Sequence, residues 1–347
     1  MFENKIETIP VDALFARADL PECQNLFYSK KWIAVLKTGY GLDFVAVVNA
    51  RTGHYLLFSV HDDLAGKKLQ SLPFSDYVMP ALAPEDAEGL LHHALVHHPD
   101  AAVIFKATAS LFSYFEAQQW RVMREALYHR VAIADEDTMW KRLAPSFQRG
   151  LHKAKKNDVQ VSLRYDREAV DRFYGLHAKL RQKKFHSLAQ PRSFFHAVHQ
   201  EYLEGQEGFV LEATRNEVLL ASMIVLQHEQ ILYYKFGASE MEALDFRPNN
   251  LLFWHLLSWA REHGYQQVDL GLSGTSEAYQ GLVRFKEAMG GVAHPIKYFR
   301  KDPPGFDHLR EASFKKLLSE LTGLFAGEGV ELKTAQQAGE ILYRYFF

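Results

Sequence analysis

Lys286, with Phe285 before it, closes a stretch in which a helix start, a buried strand and a second helix follow one another. Arg247-Pro248-Asn249-Asn250 precedes an apolar run of helical period, Leu252, Leu256, Trp259 and Ala260, which Gly264 stops. Proline suits a first helical turn, asparagine caps orphan N–H groups, and such a terminus attracts anions. Residues 267–271 (QVDLG) then form a short buried strand carrying Asp269. Ser273-Gly274-Thr275 is expected to open the helix that bears Lys286. The arrangement aims backbone N–H groups and one ammonium at a small reacting group. Asp269, at a strand end, is placed to take the proton of an attacking ammonium; the bland alternative is a helix cap or a pair with an arginine. For Lys286 the alternative is a surface lysine favoured by the macrodipole of a helix C-terminus. Tyr233 and Tyr234 point to opposite faces of the neighbouring strand, and Tyr234 is assigned to the site.

The elements that must position these groups form a pattern written twice. In the first half a helix at residues 29–37 precedes a hairpin, 44–49 with 55–60, and a strand-like piece at 69–77. A helix at 84–97, a strand at 101–107, a helix at 110–119 and a strand at 122–133 follow. In the second half a helix at 167–185 precedes a hairpin, 208–214 with 218–226, across Arg215-Asn216-Glu217. A strand at 231–237, the helix–strand–helix already described and a strand at 292–300 complete it. The order of elements repeats although the residues do not. Lys301-Asp302-Pro303-Pro304-Gly305 is a linker, and residues 306–325 and 331–347 form a helical tail. The predicted fold class is mixed α/β, with domains at 1–140 and 141–305 and the tail at 306–347.

A chain of 347 residues with 48% hydrophobic content builds sizeable cores, and a formal charge of −2 excludes a global basic field for nucleic acid. DNA is therefore not an expected partner. Cys23 is the single cysteine, which rules out an internal disulfide. The first twenty residues carry Glu3, Glu7, Asp12 and Asp19 without a continuous apolar run, and no signal peptide or membrane span is expected. The reading is a cytoplasmic protein. Local charge does concentrate: Arg149, Lys153 and Lys156 share one side of a helix whose other side holds Phe147, Leu151 and Ala154, a stripe suited to phosphates or simply solvated. Arg181 and Phe185 share a helix face four residues apart. His93 and His97 are one turn apart, but no HExxH pattern accompanies them, and no metal is expected.

Several segments taken in order, 149–159 (RGLHKAKKNDV), 176–185 (LHAKLRQKKF), 233–239 (YYKFGAS), 247–252 (RPNNLL), 268–271 (VDLG) and 281–291 (GLVRFKEAMGG), resemble the Fem-type aminoacyltransferases of cell-wall synthesis within the GNAT acyltransferase superfamily. The resemblance covers nearly the whole chain and implies two tandem GNAT-like domains. It implies that Lys286 stabilises charge on the carbonyl oxygen of a donor ester, with Phe285 a wall of the site. It implies that Arg181, Phe185 and Lys37 bind the acceptor's phosphates or carboxylate; tyrosine is commoner at the position of Phe185. Arg149 joins them as a candidate phosphate contact, and Arg247, Asn249 and Asn250 as donor contacts.

Two departures bear on the donor. CoA-using GNAT enzymes carry a glycine-rich loop where this chain reads Arg247 to Leu252 without glycine, and the long charged helical hairpin of some tRNA-using Fem enzymes is missing. The expected function is transfer of an activated acyl or aminoacyl group to an amine of a cell-wall or polysaccharide precursor. The donor is acyl-CoA or aminoacyl-tRNA, and the acceptor a small-molecule, lipid-linked or nucleotide-linked sugar. The alternatives are a CoA-dependent N-acetyltransferase of small amines or amino sugars and a non-catalytic binding module. The aromatic terminus, Tyr343 to Phe347, is expected to dock on its own protein, with peripheral membrane contact the alternative.

Overall fold

The computed structural model describes residues 6–17, 25–78 and 84–346. Glu3, Asp19, Cys23 and Phe347 lie outside the described residues. The first half runs β1 (Ile6–Pro10), α1 (Val11–Phe15), α2 (Lys30–Tyr40), β2 (Asp43–Asn49), β3 (Tyr55–Asp63), β4 (Gly66–Gln70), α3 (Pro84–His97), β5 (Ala102–Thr108), α4 (Phe112–Ala117) and β6 (Arg121–Ala132). The second half runs α5 (Glu136–Arg142), α6 (Pro145–Lys156), β7 (Gln160–Arg164), α7 (Arg167–Phe185), α8 (Arg192–Val198), β8 (Gly208–Arg215), β9 (Val218–His228), β10 (Ile231–Ser239), α9 (Pro248–Glu262), β11 (Gln267–Gly274), α10 (Gln280–Glu287) and β12 (Val292–Lys301). The tail is α11 (His308–Ala326) and α12 (Leu332–Leu342).

Local chemistry sets many of these boundaries. The Ser29 hydroxyl accepts from the Trp32 N–H and caps α2, which Gly41 ends in the left-handed region. Asp166 caps α7 through the Ala169 N–H. Asn216 and Glu217 both take positive φ, 48° and 65°, as a tight turn between β8 and β9 requires. Two expectations failed: the strand expected at 69–77 ends at Gln70, and Ser273 and Gly274 do not open a helix. β11 runs on through Gly274 because its antiparallel pairing with β6 resumes past the irregularity at Leu270-Gly271, and α10 starts only at Gln280.

Among the described residues all the strands form one sheet, in the order β1-β2-β3-β4-β5-β12-β6-β11-β10-β9-β8-β7. The repeat is visible in the pairing. β2–β3 and β3–β4 are antiparallel and β4–β5 parallel; β8–β9 and β9–β10 are antiparallel and β10–β11 parallel. The closing strands are exchanged. β6, from the first half, pairs with β11, while β12, from the second, pairs with β5, and the two run antiparallel to each other at the centre. A boundary near residue 140 divides the chain without dividing the sheet. One core joins the first half to α7 and α8; a second packs α5, α6 and α9 on the second half of the sheet. The tail docks on the body: Tyr343 stacks on Tyr40 and Phe74 at 5.9 and 5.6 Å, and Glu311 accepts two hydrogen bonds from Arg300 and lies 3.2 Å from Lys68.

Candidate active site

The parallel strands β10 and β11 pair only at Ile231, Leu232 and Tyr233 with Gln267, Val268 and Asp269. Beyond that point β10 stays with β9 and β11 stays with β6, so a gap opens between them. Both strands are irregular where they part, β10 at Lys235 and β11 at Leu270-Gly271. Gly271 has φ 71°, and a Cβ there would lie 3.3 Å from the Asp76 carboxylate and 3.4 Å from the Tyr234 carbonyl. Glycine is what lets this backbone turn its N–H onto Asp269 Oδ1 at 2.8 Å.

On one face of the sheet Asp269, 1% exposed, accepts from the Tyr77 hydroxyl at 2.6 Å and Arg130 Nε at 3.1 Å. Arg130 also donates to Tyr77 Oη at 2.7 Å and to Gln267 Oε1 at 3.1 Å. Burial pushes the Asp269 carboxyl above its ordinary value, against Arg130 and the Tyr77 hydroxyl. Burial and the Asp269 charge likewise push the Tyr77 hydroxyl well up. The arginine pair that was one of the bland alternatives for Asp269 is therefore made, and its arginine comes from the exchanged strand β6. Beside it Lys235 pairs with Asp76 at 2.7 Å and lies 4.9 Å from the Phe27 ring centre and 5.1 Å from that of Trp32. Asp76 and Tyr77 belong to residues 71–78, which leave β4 and reach into the second half.

On the opposite face stands Lys286, 2% exposed, donating to the carbonyls of Gly271 at 2.8 Å and Leu272 at 3.0 Å. It is not a surface lysine. Burial lowers its ammonium to about 8. Phe285 packs between Phe147 and Phe253 at 5.7 and 5.5 Å. Tyr234 is half-buried against Phe253 at 4.7 Å, and burial raises its hydroxyl to about 12. Tyr233, assigned from the sequence to the core, is the tyrosine on the face of Asp269; burial and that carboxylate raise it to about 12. α9 begins at this face with Arg247 exposed at φ 60° and no side chain capping its first turn. Asn249 accepts from the Ser239 hydroxyl at 2.9 Å, and Asn250 is buried against Gly150 of α6, where a Cβ would come within 2.5 Å of its amide. Of the three candidate donor contacts, Arg247 alone is exposed.

The acceptor candidates do not converge. Arg181 lines a cavity of about 520 Å³ between α7 and the tail, with Lys68, Leu188, Phe314, Leu318 and Tyr343, and donates to the Leu188 carbonyl at 3.2 Å. Phe185 is 51% exposed, with Arg181 and Lys184 over its ring. Lys37 pairs with Asp12 at 2.7 Å on the surface of α2. Arg149 is exposed on α6. Sequence reasoning missed Asp76, Tyr77, Arg130 and Lys235. The one signal for the first two was Pro73 and Ser75-Asp76 interrupting a supposed strand. Among the described residues no helix is long and apolar enough to cross a membrane.

Residues 142–286 match the protein family described as the acetyltransferase (GNAT) domain. FemX superposes with a TM-score of 0.60 at 17% identity, covering 90% of this chain and 99% of that one. The C-terminal domain of a putative lysylphosphatidylglycerol synthetase from Agrobacterium fabrum gives 0.57 at 12%, over 84% and 92% of the two chains. A tandem GNAT protein from the clavulanic acid biosynthesis pathway gives 0.51 at 13%, over 87% and 100%. No curated protein matches by sequence. The fold is that of tandem GNAT structures such as these. The segment that matches this family spans the gap, from the end of α5 to Lys286.

Proposed function

We propose that the protein transfers an activated acyl or aminoacyl group to an amine of a cell-wall or polysaccharide precursor by direct attack. The C–N bond forms as the donor's C–O or C–S bond breaks, and the ammonium's proton leaves for the departing oxygen or sulfur or for solvent. No acyl-enzyme is required; alignment of two bound substrates supplies on the order of 7–11 kcal/mol in favourable cases. The observation that carries the reading is Lys286, held at the gap where β10 and β11 part, with two of its three N–H groups on carbonyls. The third is the donor that would meet charge growing on the acyl oxygen. Arg181 and the cavity beside it are the proposed acceptor site, and Arg247 with the uncapped start of α9 the proposed donor contact. Likeness to FemX, and to a protein described as a lysylphosphatidylglycerol synthetase, favours an aminoacyl donor and leaves a lipid-linked acceptor within the reading. The glycine-free turn at Arg247 favours the same donor over CoA.

Thermal stability with acetyl-CoA, UDP-linked amino sugars and a 3′-amide mimic of aminoacyl-adenosine tests this. A ligand at a hundred times its dissociation constant adds about 2.7 kcal/mol. The mimic and a UDP-sugar should each raise the melting temperature and acetyl-CoA should not. Strong stabilisation by acetyl-CoA alone would replace this reading with a CoA-dependent N-acetyltransferase.

A further inference from the structure

Strand β6 brings a second polar group to the face that carries Lys286. Arg130 points to the Asp269 face, so by alternation His129 points to the other. Pairing of Leu127 with Ser273 puts Ser273 on that same face, one diagonal step from His129. His129 is 0% exposed and Ser273 1%, and neither ring nitrogen of His129 nor the Ser273 hydroxyl has a hydrogen-bond partner among the described residues. Unpaired buried polar groups cost about 1–3 kcal/mol each and are rare, so two together beside a lysine call for an explanation. The neighbours on this face are apolar: Val131, Leu270, Met289 and Phe285. The charged and titratable groups acting on His129 are Lys286 and His294, which with burial hold its imidazole neutral, lowered to about 4. A neutral imidazole keeps one N–H to donate and carries no charge to repel the ammonium.

We propose that His129, Ser273 and Lys286 form a subsite that receives the carbonyl oxygen of the acyl donor, His129 and Lys286 donating to it and Ser273 completing its polar wall. The inference rests on the transfer reading above for the identity of the ligand. The oxygen accepts from Lys286 and the imidazole in the ground state and more strongly as the amine adds to the carbonyl carbon. Neither donor changes protonation state during attack, so the subsite stabilises charge without reorganising. The location explains the strand exchange in functional terms: the first half lends β6, and with it His129, to the second half's gap.

The test compares His129→Leu, His129→Gln and Ser273→Ala. Removing an orphaned imidazole relieves its desolvation, so His129→Leu should raise the urea midpoint of the free protein or leave it unchanged. The same variant should weaken binding of the 3′-amide aminoacyl-adenosine mimic about tenfold, and His129→Gln, which keeps a donor, should recover most of the loss. Ser273→Ala should be neutral for stability and weaken the mimic less. A His129→Leu protein that is less stable, with recovery in His129→Gln, would make the imidazole structural and overturn the proposal. If the mimic binds the parent and His129→Leu alike, the subsite falls and the transfer reading stands. If neither the mimic nor acetyl-CoA binds the parent, both fall.

Discussion

The sheet contains two places where parallel strands part after three pairs, and they are filled differently. In the first half β4 and β5 separate after Gln70 and Ile104. The chain itself closes that gap: Ser71 N–H donates to the Ile104 carbonyl at 2.8 Å, and Lys106 Nζ donates to the carbonyls of Leu72 and Ser75 at 2.7 and 2.6 Å. In the second half β10 continues with β9 instead, and a lysine from a later helix, Lys286, takes the carbonyls of Gly271 and Leu272. Both lysines are buried and both are lowered by burial, Lys106 to about 7 and Lys286 to about 8. The difference lies around them. A loop of the same half folds over Lys106, whereas Lys286 stands beside a face with two unpartnered polar groups and an uncapped helix start. The same strand geometry makes a structural joint in one half and, on our reading, a reaction site in the other.

Replacing each lysine by methionine separates the two roles most strongly. Each change leaves two buried carbonyls short of a donor and should cost stability, at about 1–3 kcal/mol per unpaired group. Lys286→Met should in addition lower kcat by roughly 10²–10³-fold, the usual effect of one lost oxyanion donor, while Lys106→Met leaves kcat within a few-fold. Equal loss of kcat in both would erase the distinction. A smaller effect concerns the exchanged strand. Arg130→Ala leaves Asp269 buried with its charge partner gone and should destabilise by about 3–5 kcal/mol, read as the urea midpoint. A change under 1 kcal/mol, on the order of a surface ion pair, would deny β6 its part in joining the halves.

The smallest expected effect is in pH. His61, His129 and His177 are lowered to about 3, 4 and 4, chiefly by burial. Between pH 4 and 6.5 the unfolded chain therefore binds more protons, and stability rises with pH; the raised Asp269 opposes this more weakly as a single group. Above pH 7 the lowered Lys106 and Lys286 act in the same direction, since the unfolded amines stay protonated up to their ordinary value. Urea midpoints should climb from pH 4 to pH 9, and Lys106→Met should flatten the upper part of the curve. A maximum near pH 5 would contradict the burial of these groups.

Much of the frame was legible in the sequence because it is written in local signals. The helix at Arg167–Phe185, the hairpin across Asn216 and Glu217 and the strand around Asp269 follow from periodicity, caps and turn residues. The late start of α10 was not legible, because β11 is prolonged by pairing with a strand more than a hundred residues earlier. For the same reason Arg130 read as an unremarkable strand residue, and Tyr77 as part of a strand that in fact ends at Gln70. The burial of Lys286 was not legible either, since nothing in a helix-end lysine announces that it turns inward. Asn250, which reads as a cap, is instead a packing residue set by its contact with Gly150.

The most direct test of the central claim is a crystal structure of the complex with the 3′-amide aminoacyl-adenosine mimic. The mimic's carbonyl oxygen should lie in the β10–β11 gap within hydrogen-bond distance of Lys286 Nζ, with the adenosine toward Arg247 and the β4–β5 gap still closed by Lys106. A mimic bound at the β4–β5 gap, or one bound with its carbonyl away from Lys286, would contradict the account.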